Sequence, residues 1–169
     1  MTPRLLRLLP APRLDLVPLR VAHAGEMAAV LADPALHTFI GGAPLGPDAL
    51  RARYERLVAG SPDPGVSWCN WVLRLRTEDC LVGTVQATVT AAEAEIAWVV
   101  GTDRQGRGYA VEAARTLVAA LVEQPEVRTV VAHVHPGHSA SAAVAAAAGL
   151  EPTGREQDGE VRWELRTGG

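Results

Sequence analysis

The stretch Gln105-Gly106-Arg107-Gly108-Tyr109-Ala110 decides the fold of this 169-residue chain. An apolar run over residues 96–100 precedes it and a long Ala-rich segment follows, which is the order of a strand, a tight glycine turn and a helix. The first backbone N–H groups of such a helix have no partner inside the helix and lie at the positive end of its dipole. The loop therefore predicts a phosphate or pyrophosphate site, with Arg104 and Arg107 adding positive charge on either side.

Two familiar phosphate-binding loops do not fit this stretch. A P-loop needs a Lys after its last glycine, and the chain contains no Lys. A dinucleotide fingerprint needs a small residue where Val111 stands, and it normally follows the first strand of its domain. The pattern that fits is Gln/Arg-x-x-Gly-x-Gly/Ala, which is satisfied by Gln105, Gly108 and Ala110.

Length, charge and cysteine content indicate the class of protein. We assign residues 1–169 to a single domain that is long enough to bury a real core. The formal net charge of −3 and the lack of a basic tract argue against nucleic acid as a partner, and no run is apolar enough for a membrane span. Cys69 and Cys80 match no C-x-x-C or metal-ligand spacing, which favours a reducing cytoplasm. A homodimer is compatible with the sequence, although no pattern specifies the oligomeric state.

Hydrophobic periodicity and turn residues predict the element order β-α-α-β-β-β-α-β-α-β-β. Strands are expected at about 13–19, 71–75, 81–89, 95–100, 129–135, 154–157 and 160–166. Helices are expected at about 22–32, 47–60, 107–123 and 139–148, with a glycine-rich loop over 39–44. The order is that of a mixed α+β domain whose strand–helix–strand crossover starts at the glycine loop.

A second motif lies downstream of the loop, where residues 135–144 are followed by Gly149-Leu150. Together with the segment from Gln105 to Ala113 and with Ser141, it resembles the GNAT superfamily of N-acetyltransferases, over about residues 83–153. Within that family it is most similar to the branch that contains ribosomal-protein alanine acetyltransferases. The resemblance implies an α+β fold with a mixed, mostly antiparallel central sheet of about seven strands flanked by about four helices.

The resemblance also implies an activity, namely transfer of an acetyl group from acetyl-CoA to a primary amine by direct attack. The amine would belong to a protein or peptide N-terminus or to a small molecule. The backbone of two residues, Val99 and Val100, would lie where their strand separates from the next, pair with pantetheine amides and direct one N–H at the developing oxyanion. The implied cofactor-binding residues are Val99, Val100, Gln105, Gly106, Arg107, Gly108, Tyr109, Ala110, His138 and Ser141. His138 stands where the family usually has Asn.

Three residues are candidates for the chemistry. Glu95, at the start of a strand, is the candidate base that removes a proton from the amine, with Glu93 as its rival; a solvated Glu is the alternative. Many family members carry, at the position of Ala145, a Tyr that protonates the leaving thiolate. Ser141 lies one helical turn before Ala145 and is the candidate donor to the thiolate in its place; a helix-capping role for Ser141 is the alternative. His135 is a candidate auxiliary base. The spacing of the histidines matches no common zinc pattern, so we expect no metal.

Two other functions stay open at this point. A non-catalytic acyl-CoA-binding or sensing module on the same fold would explain His138 in place of Asn and the lack of an acid at Ala145. A nucleotide-binding protein could reuse the anion loop. For an acetyltransferase, we expect the acceptor to enter between the 37–46 loop and the C-terminal hairpin. Three acidic residues of that hairpin either attract a cationic amine or form a solvated turn: Glu156, Asp158 and Glu160.

Overall fold

A computed structural model describes residues 5–40 and 42–167 of the chain. In these residues eight strands form one sheet, in the spatial order β1-β2-β3-β4-β5-β6-β8-β7. All neighbouring strands are antiparallel except β5 and β6, which are parallel. The strands are β1 (Leu9–Pro10), β2 (Leu14–Pro18), β3 (Val66–Leu75), β4 (Cys80–Thr90), β5 (Glu93–Val100), β6 (Thr129–Val134), β7 (Glu151–Gln157) and β8 (Glu160–Arg166).

Besides three short 3-10 helices at Val21–His23, Pro34–Leu36 and Thr102–Arg104, five α-helices, one of them a single turn, complete the described fold. They are α1 (Ala24–Val30), the single turn α2 (His37–Ile40), α3 (Pro47–Ala59), α4 (Tyr109–Val122) and α5 (Ser139–Ala147). The predicted mixed α+β fold with a mostly antiparallel sheet is confirmed. The structure has one strand more than the sequence predicts, namely β1, in which only Leu9 and Pro10 pair with β2. A two-residue strand is too short to produce a recognisable hydrophobic alternation in the sequence.

The sheet has two differently covered faces. On one face α4 and α5 bury the main core, in which Leu117 and Leu121 of α4 pack with Ile96 of β5 and Val130 of β6. On the other face α1 and α3 form a smaller cluster that includes Met27, Leu50, Tyr54 and Val72. Because this second cover is small, part of the sheet stays accessible on that face.

Several predicted boundaries shift in ways that matter for the site. Helix α4 starts at Tyr109, not near Arg107, because the preceding glycine turn is not helical. β5 starts at Glu93, so Glu95 lies inside the strand and does not open it. β6 ends at Val134, which leaves His135 in the loop that follows. Residues 39 and 40, predicted as loop, end α2, while position 41 of that predicted loop lies outside the described residues.

The parallel ladder between β5 and β6 is short. It joins Glu93 to Thr129 and continues only as far as the pair Glu95 and Val131, whereas β5 runs on to Val100. The two strands therefore separate after Glu95. On its other side β5 stays close to β4, and a Cβ added at Gly83 would collide with the carbonyl oxygen of Val99. Glycine at this position lets the two backbones approach.

Asp15 is a buried carboxylate on β2, beside β3. Its Oδ2 accepts a hydrogen bond from Arg74 Nη2 at 2.7 Å, and its Oδ1 accepts one from Arg76 Nη1 at 3.0 Å. The hydrogen bond from Arg74 lowers the pKa of Asp15 below its ordinary value, although burial opposes this shift. Because the folded pKa is depressed, the charged carboxylate stabilises the fold above the pKa of the unfolded chain. That contribution is lost as pH falls through the folded value.

We expect Asp15→Asn to lower the free energy of unfolding by about 2 kcal/mol near neutral pH, since two charge-assisted hydrogen bonds lose their anionic acceptor. The deficit should narrow as pH falls below the ordinary Asp pKa of about 4, because the unfolded chain then takes up a proton before the native carboxylate does. Urea unfolding at neutral and acid pH measures the loss of stability and its pH dependence, with Asp103→Asn at an exposed position as the control. A deficit of equal size at both pH values would contradict this account.

Candidate active site

The glycine turn after β5 presents backbone N–H groups to an open space. Gly106 and Gly108 have φ of +78° and +83°, a conformation that L side chains rarely adopt. The first helical bond of α4 runs from the N–H of Glu112 to the carbonyl of Gly108, so the three preceding amides have no partner within the helix. A Cβ at Gly106 would meet no atom within 4 Å. Free amides, a helix start and open space fit a pyrophosphate group.

Two of the predicted cofactor residues bond to each other. The side-chain amide of Gln105 donates to the carbonyl of Val100 at 3.0 Å, which fixes the turn to the end of β5. That carbonyl is thus engaged, and the carbonyl of Val99 lies against β4, beside Gly83. Arg104 is also engaged, because its guanidinium pairs with Glu78 at 2.8 Å and lowers the pKa of that carboxyl. Arg107 is exposed beside the turn.

A buried carboxylate that sequence reasoning left without a role holds the turn in place. Glu112 of α4 has only 8% of its side chain exposed, and it accepts hydrogen bonds from the backbone N–H groups of Arg13 and Leu14 and from Arg13 Nε, at 2.7 to 2.9 Å. Arg13 also donates to the carbonyl of Arg107 at 2.9 Å and lies 4.5 Å from the ring centre of Tyr109. The start of β2 is therefore bonded directly to the start of α4.

The less covered face of the sheet forms the floor of a cleft of about 810 Å³. The floor crosses β3 to β6, which is roughly 14 Å at about 4.8 Å per strand. Asn70, Gln86 and Ala97 form one row across it, because they are register partners in β3, β4 and β5. Leucines of α3 and of the segments before it line one wall: Leu19, Leu31, Leu36, Leu50 and Leu57.

Glu95 lies in this cleft, just where β5 and β6 separate. Its side chain is 52% exposed, and its Oε2 is 3.1 Å from Nδ1 of His133, a side chain only 12% exposed. With the proton on Nδ1, His133 donates to the carboxylate and Nε2 is left as an acceptor. Nε2 is buried and has no hydrogen-bond partner in the described part of the chain. The rival Glu93 is bonded instead to Arg162 of β8 at 2.5 Å.

The other predicted residues of the second motif line the same cleft. His138 immediately precedes α5, and its Nε2 is 3.5 Å from Oγ of Ser141 in the first turn. Burial, and then the nearby charge of His135, lower the pKa of His138, so its neutral form is favoured. The Nδ1 of His135 accepts a hydrogen bond from the N–H of Gly137 at 2.9 Å. The structure thus brings Glu95, Ser141 and His135 to one cleft.

The cleft is lined by residues of both segments between which we expect an acceptor to enter. Residues on one side belong to the 37–46 segment, and Asp158 and Glu160 come from the C-terminal hairpin. Glu156 does not line the cleft. Sequence reasoning missed a role for Tyr54 of α3, which lines the cleft and is 4% exposed. Its hydroxyl is buried and has no hydrogen-bond partner in the described residues. Its helical spacing indicated only a core position.

Two kinds of site are not found in the described residues. Over residues 5–40 and 42–167, no three His, Cys, Asp or Glu side chains are grouped so that they could hold a metal ion. Within the same ranges, no helix has the length and apolar character needed to cross a membrane.

We expect Glu112→Ala to lower the free energy of unfolding by about 3 kcal/mol, because two backbone N–H groups and an Arg lose their acceptor. The free energy of unfolding of Glu112→Gln should lie between those of Glu112→Ala and the unsubstituted protein, since the Gln amide keeps one acceptor oxygen. Thermal or urea unfolding measures this, with Glu123→Gln at the exposed end of the same helix as the matched control. Stability equal to that of the control would show that the Glu112 bonds do not hold the turn.

Comparison with known proteins places this architecture in a family. A family model described as an acetyltransferase (GNAT) domain matches residues 13–151, and no curated protein matches the sequence. A GNAT-family acetyltransferase from Bacillus anthracis has a similar structure, with a TM-score of 0.81 at 17% identity, over 95% of this chain and 99% of that one.

Two further solved structures are similar over nearly their whole length. RimL, a ribosomal L7/L12 alpha-N-protein acetyltransferase solved with coenzyme A, has a TM-score of 0.79 at 14% identity, over 95% of this chain and 98% of its own. An acetyltransferase from Agrobacterium tumefaciens has a TM-score of 0.74 at 26% identity, over 95% of this chain and 94% of that one. The family match runs from the start of β2 to the start of β7 and includes the glycine turn, the separated strands and most of the cleft. The chain therefore belongs to the GNAT acetyltransferase family.

Proposed function

We propose that this protein transfers an acetyl group from acetyl-CoA to a primary amine by direct attack. The observation that carries the proposal is the separation of β5 from β6 between the glycine turn and a cleft that contains Glu95. When bound, acetyl-CoA supplies an activated acetyl thioester. The turn amides would hold its pyrophosphate, and the part of β5 that no longer pairs with β6 would bond its pantetheine arm through the backbone. Cys69 and Cys80 are free thiols, in keeping with our proposal of a cytoplasmic protein.

Glu95 is the group best suited to take the proton of the amine. An alkyl amine with a pKa of about 10 is almost entirely protonated at neutral pH, and only its neutral form can attack a carbonyl. Glu95 is exposed to the cleft, whereas its rival Glu93 is bonded to Arg162. His133 orients the Glu95 carboxylate from behind. His135 lines the same cleft as an auxiliary base, and its Nδ1 already accepts a hydrogen bond from the N–H of Gly137.

Ser141 is the proposed donor to the leaving thiolate. The position that carries Tyr in many relatives is here Ala145, which is fully buried in the α5 packing. Ser141 lies one turn earlier and lines the cleft, with its hydroxyl near Nε2 of a His138 whose neutral form is favoured. A hydroxyl hydrogen bond that strengthens as negative charge grows on sulfur stabilises the transition state without complete proton transfer.

Release of free thiol from acetyl-CoA in the presence of a panel of amines tests the reaction. The panel should contain peptides with free N-termini, polyamines, aminoglycosides and amino acids. Thiol release that depends on an amine supports the transferase. Tight binding of acetyl-CoA without release by any amine would favour the sensing module. Competition by ATP as effective as that by CoA would instead favour a nucleotide-binding protein.

The glycine turn can be tested at Gly106, where a side chain would extend into open space. We expect Gly106→Glu to weaken acetyl-CoA binding by well over tenfold, because a negative charge then faces the pyrophosphate. Gly106→Asn is the matched control, since Asn tolerates positive φ and carries no charge. Gly108 is less suitable, because a Cβ there would be 3.2 Å from Nη2 of Arg13. Calorimetry showing equal affinity for the two folded variants would contradict the assignment of the turn.

The role of Glu95 gives a specific pH signature. We expect Glu95→Gln to lower turnover at neutral pH with little effect on acetyl-CoA affinity, and its deficit should shrink at high pH, where more amine is already neutral. Profiles of kcat and kcat/KM against pH measure this. Glu93→Gln is the control on the same strand, and any deficit in its turnover should not shrink at high pH. A loss of equal size at every pH would mean that Glu95 orients groups and does not accept the proton.

A further inference from the structure

The charged residues of the cleft are divided between its two sides. All three lining carboxylates lie on β5 or on the β7–β8 hairpin, namely Glu95, Asp158 and Glu160. The one lining Arg in the described chain is Arg53, on α3, and the sequence contains no Lys. Among the described residues Arg53 forms no ion pair, whereas Arg51, on the same helix, pairs with Glu55. The cleft therefore has a negative side and a positive side.

Tyr54 adds a hydrogen-bond donor to the positive side. It follows Arg53 in α3 and is 4% exposed, and its buried hydroxyl has no hydrogen-bond partner in the ranges 5–40 and 42–167. Burial raises the pKa of this hydroxyl, which keeps it protonated and able to donate. A buried hydroxyl without a partner costs free energy, so a ligand that accepts its hydrogen bond gains affinity.

We propose that the acceptor is an amine that also carries a carboxylate, bound with its amine at Glu95 and its carboxylate at Arg53 and Tyr54. This inference rests on the proposed transferase function and names the substrate class of the same cleft. A guanidinium and a phenolic hydroxyl both donate to a carboxylate, and the planar Arg group matches its two oxygens. A polyamine would meet Arg53 with like charge and would leave Tyr54 without an acceptor for its proton.

The width of the cleft sets the scale of such a molecule. Tyr54 packs with Val72 of β3, and Glu95 lies on β5, two strands away. The row of Val72 meets β5 at Val99, four residues along the strand from Glu95. At about 4.8 Å per strand and about 3.3 Å per residue, the two anchoring points are roughly 16 Å apart along the floor. An extended ω-amino carboxylate or a short peptide spans that distance, whereas an α-amino acid is too short to contact both sides. The apolar wall formed by the Leu side chains suits the intervening chain.

The test compares matched acceptors in the full-length protein. Straight-chain ω-amino carboxylates of increasing length are paired with alkylamines of equal length, and a dipeptide is paired with its C-terminal amide. Thiol release gives kcat/KM for each. We expect the carboxylate to improve kcat/KM by roughly tenfold or more at the best length, as for a hydrogen bond to a charged group. A higher kcat/KM for the dipeptide than for its C-terminal amide shows that a peptide C-terminus can supply the carboxylate, whereas a gain seen only with the ω-amino carboxylates points to a free amino carboxylate.

Three variants test whether the gain in kcat/KM from the acceptor's carboxylate depends on Arg53 and Tyr54. Tyr54→Phe and Arg53→Gln should each reduce kcat/KM for the amino carboxylate about tenfold more than for its alkylamine partner. Arg56→Gln, on the same helix outside the cleft, should not change this ratio. Because the Tyr54 hydroxyl has no partner within the described protein, Tyr54→Phe should melt no lower than the unsubstituted protein.

The outcomes separate this inference from the function itself. Equal kcat/KM for both members of every pair, or equal losses for both in Tyr54→Phe, would overturn the carboxylate subsite while leaving the transferase intact. Absence of thiol release with every amine would overturn the transferase. The subsite is then judged by calorimetry, in which the best amino carboxylate must bind more tightly than its alkylamine partner, and binding of equal strength overturns it.

Discussion

The buried carboxylate of Glu112 is the contact on which the geometry of the site depends. A turn with two glycines in the left-handed region has little conformational preference of its own. Glu112 joins the N–H groups at the start of β2 to the first turn of α4, and Arg13 joins the same point to the carbonyl before Gly108. The turn is thereby held from a strand 94 or more residues away in sequence. Together with the local bond from Gln105 to the carbonyl of Val100, this contact fixes the amides at the helix start relative to both β2 and β5.

The second constraint is the early end of the β5–β6 ladder. Parallel strands that remain paired along their length leave no free backbone between them. Here β5 continues into the glycine turn, and β6 leads through residues 135–138 into α5. Small side chains let α4 and α5 pack closely, with Ala113 and Ala145 fully buried, and Arg115 of α4 donates to the carbonyl of Ala147 at 2.9 Å. The two helices are fixed together while the strands before them diverge, so the gap is part of the packing.

The sequence was informative where the signal is local. The glycine turn, the Ala-rich periodicity and the hairpin at Asp158-Gly159 are short-range patterns, and the elements they predict are present in the structure. Contacts between distant residues were not accessible in this way. Glu95 and His133 are 38 positions apart, and Arg13 and Glu112 are 99 apart. No periodicity reports such pairs, so the long-range partners of these side chains had to come from the structure.

Tyr54 shows a different limit of sequence reasoning, because helical spacing predicts its position but not whether its hydroxyl has a hydrogen-bond partner. The helical spacing of α3 predicts that Tyr54 faces inward, and it does so in the cluster with Met27 and Val72. Periodicity reports which way a side chain points and says nothing about whether its polar atom has a partner. Protein cores rarely keep such an atom unbonded, because the cost is about 1–3 kcal/mol. Within residues 5–40 and 42–167, neither the hydroxyl of Tyr54 nor Nε2 of His133 has a hydrogen-bond partner, and both residues line one cleft. Two such costs in one place are the expected signature of a binding surface whose hydrogen bonds are completed by a ligand.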